Sequence, residues 1–313
     1  MEMVNMLASS RGILQSCTHH NRKPISSCPA IDADLLDGFR PGASIYVCTQ
    51  ALAVFAIYVL PRINAPFTLV SGDSDLTVDQ GILAHPNVSS ILASPHLIAW
   101  YAQNLATSAP KLYHLPIGQD YHTISHEAEV WSLDTVSPIS QERSLIRIFS
   151  DAPRFSDRKL KAYCNWHFEI GRGDRQECLQ SLDPTVAFFE PTKVPRQSTW
   201  ARQSQMMFVV SPFGAGLDCH RTWEALALGC VPILRRSALA PVCSGLPCVF
   251  VDDWRQVNTS FLRHSADLMQ QAKFQFGPLF KDFWMRKIRM ERCIDLPEMT
   301  LDEFRKFVVF CSA

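Results

Sequence analysis

The sequence predicts an α/β protein made of two consecutive β/α units, each a parallel sheet wrapped by helices. Three observations lead there. Short apolar strands alternate with helical stretches along most of the 313 residues, the rhythm of parallel sheets. The rhythm breaks over a polar stretch at 124–143, which contains Pro138, and then restarts. The length suits two domains better than one core. The expected units are 1–135 and 136–290, with a last helix in 291–313 packing back on the first unit.

Residues 1–42 are irregular, punctuated by Pro24, Pro29, Pro41 and Gly42. "SIYVCT" (44–49) is a β-branched run and reads as the first strand. "QALAVFAIYVLPR" has helical length and stops at Pro61. "PFTLVSGD" (66–73) reads as a strand ending at Gly72, and "VSSILAS" (88–94) as another. "HLIAWYAQNLA" (96–106) reads as a helix and "KLYHLPIG" (111–118) as a fourth strand. In the second unit the expected strands are "SLIRIFS" (144–150), "TVAFFEP" (185–191), "MMFVVSP" (206–212), "CVPIL" and "PCVFVDD" (247–253). Helices are expected at "DRKLKAYCNWHF", at "RQSTWARQSQ", over 258–275 and 278–292, and at "TLDEFRKFVVF".

Composition excludes several classes. With 47% hydrophobic and 19% charged residues, the chain is globular rather than disordered. Thirty basic residues balance thirty acidic ones, so the net charge points to neither nucleic acid nor an anionic membrane. The longest apolar run, 51–60, falls short of the roughly twenty residues a membrane span needs. The eleven cysteines are odd in number and contain no CxxC. The start "MEMVNMLASSRGILQSC" lacks a signal-peptide core. Reduced thiols in the cytoplasm are the expectation. Cys17, His19, His20 and Cys28 fit no standard zinc spacing, so no metal is expected there.

One stretch carries the chemistry: "SPFGAGLDCHRTWEALALGCVPIL", residues 211–234. A strand ends at Val210. A loop with Gly214 and Gly216 follows, then Asp218 as the expected helix cap. Ligands of open α/β sheets bind just beyond the C-terminal strand ends. Glycines allow close backbone approach, and the N–H groups of a helix start accept anions. Arg221 stands in the first turn, against the helix dipole. A diphosphate would offset that cost through charge-assisted bonds. Glu224, one turn deeper, would accept from ribose hydroxyls. The alternative is a surface Arg221–Glu224 ion pair at i, i+3; spacing alone leaves both open. No GK[ST] follows the glycines, so this is not a Walker loop.

This stretch resembles the signature of exostosin-like glycosyltransferases: strand, glycine loop, arginine, Glu-Ala, then Gly-Cys-Val-Pro. "VFVDDWRQV" is similar to that family's next strand. "PFTLVSGDSD" and "LPIGQDYHT" resemble the compact exostosin-like enzymes of large algal viruses. The resemblance implies a GT-B-like fold, two Rossmann-like domains facing a cleft, with the donor nucleotide on the C-terminal one and the acceptor on the N-terminal one. It implies an inverting transfer of a sugar, with xylose the best guess, from a UDP-sugar to a hydroxyl of a glycan acceptor, with no cofactor or metal required. Gly214, Ala215, Gly216 and Arg221 would meet the diphosphate and Glu224 the ribose.

Other candidates follow from position. Asp73, just past a strand end, would be the general base that an inverting transfer needs. Asp73-Ser74-Asp75 also reads as a D-x-D that would hold a divalent metal in a GT-A enzyme. Arg158, read as the start of a helix, would add charge at the leaving diphosphate. Lys193 and Val194 would lie near the nucleobase by analogy with GT-B folds. Asp120 and His122 stand at another strand end on the acceptor side, where His122 is a rival base. A non-catalytic nucleotide-sugar or glycan-binding protein is the alternative of another class.

Overall fold

The computed structural model describes residues 2, 4–126, 134–293 and 295–312. Residues 127–133 of the expected boundary stretch lie outside the described residues. The fold is α/β: two parallel sheets flanked by helices. Among the described residues, no helix is long and apolar enough to cross a membrane.

The first sheet contains β1 (Ala43–Cys48), β2 (Phe67–Gly72), β3 (Leu97–Ala102) and β4 (Leu112–His114), side by side in chain order and all parallel. Every crossover steps the same way, so right-handed connections put the crossover helices on one face. Alternating side chains sort accordingly. Ile45, Val47, Leu69 and Trp100 pack in the core beneath those helices. Tyr46, Val70 and Tyr101 point the other way, into a larger core that runs through the rest of the chain. There the Tyr101 hydroxyl donates to the Lys287 carbonyl at 3.2 Å.

The second sheet contains β5 (Lys159–Cys164), β6 (Ala187–Phe189), β7 (Met206–Val210), β8 (Val231–Arg235) and β9 (Val249–Val251). Their spatial order is β6-β5-β7-β8-β9. The chain leaves β5 for one edge, then returns to the far side of β5 at β7. Strand order therefore reverses between β5 and β7. The connections beyond their C-terminal ends diverge there, which opens a crevice in a sheet of this kind.

Two pairs of expected elements are exchanged. All of the stretch 88–94 but its last residue lies in the helix Pro86–Ala93, whose first turn carries Pro86 and is capped by the His85 side chain. The stretch 96–106 contains β3 instead of a helix. Its residues are buried almost throughout, as in a strand covered on both faces, so no alternation marks it. Likewise 144–150 belongs to the helix Pro138–Asp151, where the Ser137 side chain accepts from Ser140 N–H and proline occupies the first turn. The expected helix over 157–168 holds β5. With β5 at Lys159–Cys164, Arg158 stands at its N-terminal end and Asn165 at its C-terminal end.

The helix Leu301–Ser312 lies against Pro138–Asp151. Phe304 stacks on Phe276 with ring centroids 3.8 Å apart and meets Phe149 at 5.7 Å. Arg305 donates to the Ala152 carbonyl. At the other end, the Met6 and Leu7 amides donate to Glu142 at 2.7 and 3.0 Å.

Candidate functional site

A cavity of about 240 Å³ opens where the C-terminal strand ends of both sheets meet. Asn165 and Trp166 follow β5, the loop 211–219 follows β7, and Asp75, Ile117 and Asp120 come from the first sheet's loops. The crevice at the β5/β7 reversal is thus the floor of the cavity.

The helix His220–Ala227 begins at this floor. Arg221 Nε donates to Asn165 Oδ1 at 3.2 Å, and Nη1 lies 3.3 Å from the Pro212 carbonyl and 3.4 Å from Ser211 Oγ. All three partners are neutral. Arg175 reaches the same cavity from the segment after β5. Its Nη1 donates to the Glu169 carbonyl at 3.2 Å, and its buried Nε has no hydrogen-bond partner. Burial lowers the Arg175 pKa, and the nearby charge of Arg221 lowers it further. Among the described residues neither guanidinium forms an ion pair with a carboxylate. Two like charges therefore line one cavity at the positive end of a helix without a direct carboxylate partner, although Glu169 acts on Arg175 from the same wall.

Glu224 does not pair with Arg221. Its Oε1 lies 3.5 Å from Arg196 Nε, so the i, i+3 surface pair is not formed. Arg196 also donates to Asp120 Oδ2 at 2.8 Å and to the Asp120 carbonyl. Burial works to raise the Asp120 carboxyl, but Arg196, His220 and His122 outweigh it and hold it well below the usual carboxylate range.

Asp218 is not the helix cap; Cys219 occupies that position with extended backbone. The Asp218 carboxylate instead accepts Ile117 N–H and Trp223 Nε1–H, each at 2.8 Å. Burial still pushes it up to about 6. Asn104, in the left-handed region at φ 51, braces the same loop. Its Oδ1 accepts Asp218 N–H at 2.8 Å, and its amide donates to the Ser74 carbonyl at 3.1 Å. A Cβ on Gly216 would stand 2.9 Å from that amide, and one on Gly214 would stand 3.1 Å from Arg175 Nη2. Close approach, not backbone twist, favours glycine at Gly216, where a Cβ would meet the braced Asn104 amide, while at Gly214 the Arg175 side chain would have to shift. Ala215 between them is exposed on the wall.

The remaining candidates divide. Asp75 and Lys193 are exposed on the wall. Asp120 is on the wall, its carboxylate held by Arg196. Val194 and His122 are not among the lining residues. His122 Nδ1 lies 3.2 Å from Asp120 Oδ1 but off the line of a hydrogen bond. Burial pulls its pKa down to about 4 although Asp120 opposes this. Asp73 is buried, with φ 54, and is not among the lining residues. Its carboxylate is taken by Arg11 at 3.1 Å and the Ser26 hydroxyl at 2.8 Å. Asp73 and Asp75 therefore do not face the cavity as a pair. No group of three or more His, Cys, Asp or Glu fit for a metal occurs among the described residues.

Arg158 is remote from the cavity. It stands at the N-terminal edge of β5, the edge away from the crevice. Its guanidinium donates to the carbonyls of Pro153, Leu228 and Gly229 at 3.0–3.2 Å. It thereby neutralises the C-terminal end of His220–Ala227, where a cation is favoured. Reading "SLIRIFS" as a strand put Arg158 at the wrong edge.

Sequence reasoning missed Asn104, Asn165, Arg175, Arg196 and His220. Arg175 had a signal in "GRGDR" (171–175), legible only once 159–164 is taken as the strand before it. His220 sits at the start of the helix, with Nδ1 2.7 Å from the Gly118 carbonyl. Gly118 has φ +67, and a Cβ there would stand 2.2 Å from the Ala8 carbonyl oxygen. Comparison with protein-family models gives no match, and comparison with curated proteins gives none.

Proposed function

We propose that this protein is an inverting glycosyltransferase that binds a nucleoside-diphosphate sugar in the β5/β7 crevice and delivers the sugar to a hydroxyl of a glycan. One observation carries the reading: Arg175 and Arg221 line one cavity at a helix start, and neither is in an ion pair with a carboxylate among the described residues. A diphosphate would give both guanidiniums an anionic partner. It would take bidentate bonds from guanidinium groups and single bonds from first-turn amides. As the sugar–oxygen bond breaks, negative charge grows on the leaving diphosphate. Fixed cations in a half-buried site stabilise that charge more than they stabilise the donor.

The exostosin-like resemblance of 211–234 supports the same reading, and so does the meeting of two parallel sheets at their C-terminal ends, the arrangement a GT-B enzyme uses. UDP is the expected nucleotide and UDP-xylose the first donor to try. Lys193 lines the same cavity and would add a further cation to the donor site.

The test is a panel of UDP- and GDP-sugars, read by melting temperature and by release of free nucleotide. A transferase gains stability with rising concentration of its donor and releases UDP when an acceptor hydroxyl is present. Stabilisation without release from any donor would mean a binding protein. No stabilisation by UDP, GDP or any of their sugars would contradict the reading.

A further inference from the structure

We infer that His220 is the general base of this transfer, an assignment that rests on the transferase reading above. Of the other acids of the wall, Asp75 is exposed and is the rival base, and the rest face partners. Asp120 and Glu224 face Arg196, Asp218 accepts from Ile117 and Trp223, and Glu169 lies 3.5 Å from Arg172. His220 is different, because its tautomer is set from behind. The Gly118 carbonyl can only accept, so Nδ1 carries the proton in the 2.7 Å bond. The lone pair of the neutral ring is then on Nε2. Nε2 makes no hydrogen bond among the described residues, and the ring lines the cavity.

The position suits the work. His220 is the first residue of its helix, at the floor of the cavity. The charge that arrives with the proton has counter-charges waiting. Asp73, Asp120 and Asp218 all interact electrostatically with His220. The cations Arg196 and Arg221 line the same cavity as His220, and the His122 ring stands edge-on to it with centroids 6.3 Å apart. A base held by one nitrogen and free at the other is the arrangement acid–base catalysis uses.

The step balances as follows. The acceptor O–H proton passes to Nε2 as its oxygen bonds to the anomeric carbon from the face opposite the diphosphate. The bond from that carbon to the diphosphate oxygen breaks, and its electron pair leaves on the diphosphate beside Arg175 and Arg221. Configuration inverts. The imidazolium returns its proton to solvent after release.

His220→Asn tests this, because an asparagine amide can still donate to the Gly118 carbonyl. The probes are UDP for binding and UDP-xylose, UDP-glucose and UDP-galactose with methyl glycosides for transfer. Transfer should slow by roughly 10²- to 10⁴-fold while UDP affinity holds, and the acid limb of the kcat–pH profile should vanish. Added imidazole should restore part of the rate to His220→Ala. Transfer by His220→Asn at the parent rate would overturn the assignment. So would rate loss on Asp75→Asn or Asp73→Asn in its place, or loss of UDP affinity together with rate in His220→Asn. A parent protein that neither binds UDP nor releases it from any donor would instead overturn the transferase reading, and this assignment with it.

Discussion

Arg196 holds Asp120 at 2.8 Å in a buried ion pair, and the same guanidinium lies 3.5 Å from Glu224. One cation thereby joins the loop after β4 to the helix that begins at the cavity floor. Replacing it leaves two buried carboxylates without their guanidinium partner. Arg196→Met should cost about 3–5 kcal/mol in urea unfolding, the usual cost of breaking a buried pair. A loss below about 1 kcal/mol, the range of an exposed pair, would contradict the role. The depressed Asp120 carboxyl has a definite pH signature. Its contribution is complete above the ordinary carboxylate pKa of about 4 and declines as pH falls below it.

Glu2 has the opposite sign. Burial pushes its carboxyl up to about 7, against the bond it accepts from Ser9. The folded state then holds that proton more tightly than the unfolded chain, whose glutamate titrates at about 4.3. The stabilisation is full below that value and lost as pH rises through about 7. Asp218, raised to about 6, acts in the same direction. Glu2→Gln keeps an acceptor for Ser9 and removes the titration. The parent's melting temperature should therefore fall more steeply than the variant's across this window. Parallel curves would contradict the buried, raised carboxyl.

Arg158→Ala separates architecture from binding. Each hydrogen bond from a charged group contributes about 1.5–3 kcal/mol, and this guanidinium serves three carbonyls. The variant should unfold at clearly lower urea concentration yet bind UDP with the parent's affinity once folded. Weaker UDP binding at full stability would return Arg158 to the donor site.

Most strands were legible because β-branched runs with turn residues at their ends leave little choice, as at β1, β2, β7 and β8. The two exchanged pairs were not legible from periodicity. "LIAWYA" is buried on both faces, and "VSSILAS" is a short apolar run; such segments carry no period that tells strand from helix. The Ser137-Pro138 start was the local signal available for the second pair. The glycine loop and Arg221 were found because their chemistry is local. Arg175, Arg196 and His220 were missed because their meaning lies in partners far along the chain: Arg221, Asp120 and Gly118. Arg158 shows how one misread strand moves a residue to the opposite sheet edge.

The central claim is that Arg175 and Arg221 share a diphosphate, and calorimetric titration of UDP tests it most directly. The parent should bind UDP, and Arg175→Ala and Arg221→Ala should each lose roughly ten- to a hundred-fold in affinity, the equivalent of one charge-assisted bond, while remaining folded. UDP bound equally well by the parent and both variants would contradict the claim.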